Sequence, residues 1–103
     1  MAQIPMGQDI NFGIKAKSLG GISNATRTFT CSSFQGFILG FHSSSSGLLF
    51  CEMVASSGSS KSVLASPANT VSIANNILSV TSTSTATTTL RAIILNGDIT
   101  PNT

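Results

Sequence analysis

The sequence predicts an all-β domain, an antiparallel β-sandwich of jelly-roll type with about seven or eight short strands. Three observations predict it. Glu, Lys, Gln and Arg, which sustain exposed helices, are sparse, while Val, Ile, Thr and Phe are plentiful. Apolar and polar residues alternate with period two in several segments. Clusters of Ser, Gly and Asn recur at short intervals, as sandwich turns do.

In chain order, strands are expected at about residues 10–15, 26–33, 36–42, 48–55, 61–65, 70–74, 77–83 and 88–95. Ser18-Leu19-Gly20-Gly21 reads as a turn between the first two. Within 26–33, Phe29 and Cys31 share one face and Thr28 and Thr30 the other, the pattern of a half-buried strand. The next two segments are apolar on both faces. Phe37, Leu39 and Phe41 oppose Ile38, and Leu48, Phe50 and Val54 oppose Leu49, Cys51 and Met53. Such strands belong at the centre of a sheet or at a subunit contact, so another copy is expected to bury part of this surface.

Residues 43–47, four serines and a glycine, read as a hairpin loop, as do residues 56–60. Asn75-Asn76 is placed as a two-residue turn, because Asn tolerates positive φ. Ser66-Pro67-Ala68-Asn69 reads as a bend. The hydroxyl-rich tract 81–89 is expected to form a hairpin with threonine-rich arms and a tip near residues 84–86, since Thr favours strands and both flanks are strand-like. Asn96-Gly97-Asp98 punctuates the last strand. The organisation expected is a leading segment (1–23), one β-domain (24–99) and a frayed tail (100–103).

Only 8% of the residues are charged and 41% are apolar. The polarity is therefore that of hydroxyls, and the apolar content argues against disorder. Lys15, Lys17, Arg27, Lys61 and Arg91 are scattered against Asp9, Glu52 and Asp98, with no basic stripe to follow a phosphate backbone. No nucleic-acid partner is expected. The apolar runs are far shorter than the ~20 residues of a membrane-crossing helix, and residues 1–6 lack the character of a signal peptide. Synthesis in a cytoplasm is expected, with no membrane insertion and with Cys31 and Cys51 as free thiols rather than a bridge.

Catalytic and metal-binding patterns are not found. His42 stands beside serines, but no nucleophile-elbow signature accompanies it, and the three carboxylates are dispersed. Cys31, His42 and Cys51 lack the Cys-x-x-Cys or paired-His spacing of a zinc site. Ser18-Leu19-Gly20-Gly21 has neither the lysine nor the helix of a phosphate loop, and Asn24-Ala25-Thr26 is a glycosylation acceptor only in a secreted protein. The expectation is a non-enzymatic protein without cofactor or metal.

Residues 36–99, about two thirds of the chain, resemble the small C-terminal β-domains of bacteriophage tail fibres and related virion appendages. The resemblance lies in Gly36-Phe37-Ile38-Leu39-Gly40-Phe41, in Ser46-Gly47-Leu48-Leu49-Phe50 after a serine loop, in the stretch from Val71 through Asn75-Asn76 to Val80, and in the apolar strand from Leu90 to Leu95. It implies a virion protein, a tail-fibre tip or receptor-binding module that touches the host cell surface. A homotrimer among other virion proteins, with a host glycan or protein as partner, is implied too. The alternative is a purely structural virion component: a capsid decoration, head fibre or filament subunit. Recognition would fall on loop tips, with Ser44, Ser45, Ser57 and Ser59 as candidate binding residues, because each hydroxyl both donates and accepts hydrogen bonds.

Overall fold

The computed structural model describes residues 14–102. Among them are seven strands and no helix: β1 (Lys15–Ile22), β2 (Ala25–His42), β3 (Leu48–Ala55), β4 (Ser59–Leu64), β5 (Asn69–Ala74), β6 (Ile77–Ser82) and β7 (Thr88–Pro101). Every pairing is antiparallel and all belong to one sheet. The all-β, antiparallel, sandwich-like class expected from the sequence is the class observed.

One sheet makes two layers because β2 and β7 run through both. The first part of β2 pairs with β6, from Ala25 against Ser82 to Thr30 against Ile77, and its later part pairs with β3, from Gln35 against Ala55 to Phe41 against Leu48. Along its other edge β7 follows from Pro101 beside Phe29 to Thr88 beside His42. The first layer is therefore β1-β7-β2-β3-β4, and the second is β7-β2-β6-β5.

The fold line crosses β2 and β7 together. Ser32 pairs with Asp98, Gln35 with Asn96 and Gly36 with Ile94, so each strand carries one extra residue. An extra residue moves every later side chain to the other face. On β2 the buried positions are Phe29 and Cys31 before the bulge, then Phe34, Gly36, Ile38 and Gly40 after it. On β7 they are Thr88, Leu90, Ala92 and Ile94 before, and Ile99 after. The change of parity keeps one interior for strands that double back. Gly97 (φ 74°) makes it possible, because a Cβ there would run into the carbonyls of Ser32 and Ser33. Asn96 Nδ2 donates to the Ser33 carbonyl at 3.1 Å and pins the line.

Between the layers lie Leu19 and Ile22 of β1, Phe29, Phe34 and Ile38 of β2, Phe50 of β3, Leu78 and Val80 of β6, and Leu90 and Ile99 of β7. Arg27 ties the layers at the end opposite the fold line. Its Nη1 donates to the Leu19 carbonyl at 2.7 Å, and its guanidinium lies 5.3 Å from the centroid of the Phe29 ring.

Four expectations need correction. Residues 26–33 and 36–42 are one strand rather than two, since Ser32 to Gln35 form a bulge and not a turn. Residues 81–89 are not a hairpin: β6 pairs with β2 and β5, and residues 83–87 carry the chain from one layer to the other. Ser18 to Gly21 lie inside β1, with Leu19 buried and a bulge between Ser18 and Gly20 (φ 83°). The domain is wider than 24–99, because β1 completes the first layer and the expected frayed tail is held. Thr100 and Pro101 belong to β7, and Asn102 N donates to the Thr28 carbonyl at 3.1 Å. Of the strand expected at 10–15, residues 10–13 lie outside the described residues, and β1 starts at Lys15.

Candidate functional site

The topology sorts the loops into two groups at opposite ends. At the apex stand residues 23–24, 43–47 and 83–87; at the base stand the fold line and the turns at 56–58 and 75–76. Ser44 and Ser45 are at the apex, whereas Ser57 and Ser59 are at the base, separated by the length of β3, about 25 Å at ~3.3 Å per residue. They do not form one surface. The sequence already implied it, because loops 43–47 and 56–60 flank the single strand expected at 48–55 and so lie at its two ends whatever its partners.

The apical loops are knitted to one another. Asn24 N donates to the Ser84 carbonyl at 2.8 Å, Ser23 Oγ to the Thr85 carbonyl at 2.8 Å, and Ser43 N to the Thr87 carbonyl at 3.2 Å. Within the tips, Ser44 N donates to His42 Nδ1 at 3.2 Å, and the Ser44 hydroxyl lies 2.9 Å from the same nitrogen. Ala86 N donates to Ser84 Oγ at 3.2 Å. The surface that results carries exposed Ser23, Asn24, Ser43 to Ser46, Thr83, Thr85 and Thr87, and no charged side chain on any of the three loops. It is a preorganised array of neutral donors and acceptors.

At the base, an open cleft of about 670 Å³ follows the fold line, lined by Ser32, Ser33, Gln35, Ser57, Asn76 and Asn96 among others. It too is uncharged. Asn75 (φ 51°) and Asn76 (φ 64°) make the turn expected of them, and the Asn76 carbonyl accepts the Cys31 N–H at 2.8 Å. Ser59, expected at a loop tip, is the first residue of β4 and pairs with Ala55.

A third surface is the outer face of the first layer. Its rows run across the strands: Ala16, Ile93, Phe37, Met53 and Lys61 in one, and Ser18, Arg91, Leu39, Cys51 and Leu64 in the next. Leu95 stands beside the first row, and Phe41 opposite Leu48 beyond the second. Between Phe37, Met53, Lys61 and Leu95 is a shallow, largely apolar groove of about 340 Å³. The double-sided apolar character of residues 36–42 and 48–55 thus divides, with Ile38, Phe50 and Val54 in the core and Phe37, Leu39, Cys51 and Met53 on this face. The irregularity at Gly40/Phe41 reverses the expected sides of Leu48 and Leu49: Leu48 is exposed and Leu49 packs against the core.

The residues with chemical potential are kept apart. Cys31 is buried between the layers and Cys51 is half-buried on the outer face, both as free thiols. Burial raises the pKa of each, and the neighbouring Glu52 carboxylate raises that of Cys51 further, so both favour the neutral thiol. Glu52 points inward and accepts a hydrogen bond from Ser62 Oγ at 2.7 Å. Asp98 is at the base, where the Ile99 N–H (2.8 Å) and the Lys17 ammonium (3.4 Å) lower its pKa. His42 is at the apex, beside neither acid. Among the described residues no group of three or more His, Cys, Asp or Glu side chains converges. Compared with family models, with curated proteins and with solved structures, the chain finds no match.

Proposed function

We propose that the chain is a non-catalytic structural module of a virion, a fibre tip or receptor-binding domain whose apex touches the host cell surface. The knitted, uncharged apex carries this reading. Three loops from both layers meet there, fixed by hydrogen bonds between and within loops, while Ser43, Ser45, Ser46, Thr83, Thr85 and Thr87 are exposed. Such a surface meets a neutral glycan or a polar protein surface without stripping water from charges. The homotrimer belongs to the same proposal and rests on the resemblance, with the apolar outer face of the first layer left for a further copy to cover. That face also favours a second reading, in which the chain only stiffens a virion lattice.

Substituting Ser45 with Phe, alone and with Ser44→Phe, and measuring attachment to host cells tests the first reading against the second. Attachment is expected to fall at least tenfold, with the oligomer intact, while Ser57→Phe at the opposite end leaves it unchanged. Attachment unaffected by the apical substitutions rejects the apex as contact surface. Dissociation of the oligomer by them would place the apex in a lattice contact and favour the second reading.

A further inference from the structure

We propose that the outer face of the first layer is a self-association surface, on which a second copy of this chain docks sheet to sheet. The inference rests on the non-catalytic assembly reading above and adds which surface makes the contact.

The two outer faces of the domain set the argument. On the second layer, the rows Thr26, Thr81, Thr70 and Thr28, Ser79, Ser72 are hydroxyls throughout, and only the row nearest the base, Thr30, Ile77 and Ala74, carries apolar side chains. On the first layer the equivalent positions are Phe37, Leu39, Ile93, Met53 and Cys51. Neighbouring side chains leave Met53, Leu95, Leu48 and Leu64 still 43–47% exposed. An antiparallel sheet that meets water on one side carries mostly polar residues there, whereas on this face Ser18, Arg91 and Lys61 are the polar members of two rows that are otherwise apolar.

Its size and charge favour a copy of itself. Five strands ~4.8 Å apart, with rows ~6.8 Å apart along them, give a plan area of roughly 500 Å², and protruding Phe, Leu and Met side chains raise the accessible area toward the ~800 Å² that each partner gives a standard interface. The charged members are Arg91 and Lys61, set to either side of β2. A twofold axis along β2 lays Arg91 over the other copy's Cys51 strand and Lys61 over its β1, so like charges do not meet. Twisted sheets of this kind pack on one another at about −30°, as the layers of a sandwich do. With Phe37 and Leu39 central and the cations displaced from the centre, the face has the anatomy of an interface.

Sedimentation of the full chain at tens of micromolar is the test. The wild type is expected as a dimer, or as a hexamer in which two of the proposed trimers meet on this face; a species that stops at the trimer counts against the twofold contact. Leu95→Glu and Met53→Glu, at exposed positions, are expected to give monomers with unchanged far-ultraviolet circular dichroism, while Ser72→Glu on the other outer face leaves the assembly intact. Cys51 supplies a second measurement that does not depend on sedimentation: maleimide is expected to modify it at least tenfold faster in Leu95→Glu than in the wild type, with Cys31 slow in both. A monomeric wild type, or an assembly indifferent to both Glu substitutions, overturns the proposal. Attachment to host cells that is indifferent to the apical substitutions, in a wild type that assembles through this face, would instead strike the attachment reading and leave this one standing.

Discussion

The two halves of β2 obey different rules although they are one strand. Before the fold line, Phe29 and Cys31 face the core while Thr28 and Thr30 face outward; after it, Ile38 faces the core while Phe37, Leu39 and Phe41 face outward. The inner side is apolar from Phe29 to Gly40, with Arg27 before it. What changes is the outer side, from hydroxyl to hydrocarbon, and the change falls at the bulge. The interior therefore explains half the pattern, and the outer surface explains the rest. A strand that is apolar on both sides in a domain this thin marks a surface that water alone does not satisfy.

The largest effect is expected at the boundary between the halves. Gly97→Ala forces a Cβ toward the Ser32 and Ser33 carbonyls at a left-handed φ, and is expected to cost about 3 kcal/mol or more. Gly58→Ala has a comparable backbone problem, at φ 112°, but meets nothing within 4 Å, and is expected to cost about 1 kcal/mol. Urea denaturation of both variants gives the comparison. Equal losses would mean that the fold line is not under the constraint described.

The next effect tests the hydroxyl half. Thr26 Oγ1 and Thr81 Oγ1 lie 2.8 Å apart on the exposed face of the second layer. Thr26→Ala is expected to cost about 0.5–1 kcal/mol of folding stability and to leave self-association unchanged. If it altered the oligomer, the second layer would be an interface too and the contrast between the halves would fail.

The smallest effect is electrostatic. The Asp98 carboxylate has a lowered pKa in the fold because it accepts the Ile99 N–H and faces Lys17, so the charged form is favoured in the native state. Its contribution is fully present above the ordinary Asp range, ~3.9, and is lost as pH falls through the folded value. Thermal melts of wild type and Asp98→Asn are expected to differ slightly at pH 7 and to converge on acidification toward pH 2. A difference that grew on acidification would reverse the sign of the argument.

Much of this architecture was legible in the residues. The turn at Asn75-Asn76 was readable because few residues accept positive φ at two successive positions, and the serine loop at 43–47 because nothing apolar interrupts it. The continuity of β2 was harder to see, since the apolar alternation breaks after residue 33, which reads as the end of a strand. The signal that would have found it is the parity change from Phe29 and Cys31 to Phe34 and Ile38, a slip of one rather than an interruption. The tract 81–89 misled because Thr propensity is local, whereas the crossing between layers is fixed by what β6 and β7 pair with. For the same reason the candidate serines could be named but not assembled. Ser44 and Ser45 belong with residues 23–24 and 83–87, a neighbourhood created only by the doubling back of β2 and β7.

That doubling back also governs how the molecule comes apart. In a sandwich made of two separate sheets, one layer can fray while the other holds, and the loss stays local. Here one ladder of each layer, central in the first and at the edge of the second, is a stretch of the same two strands, continuous through a corner whose backbone atoms are in close approach. Opening one layer pulls on the register of the other, so the domain is expected to unfold as a single cooperative unit. Folding meets the same condition in reverse. β2 cannot complete its pairing until β7, more than forty residues further along the chain, has arrived, and the contacts that close the core are among the last the chain is able to make.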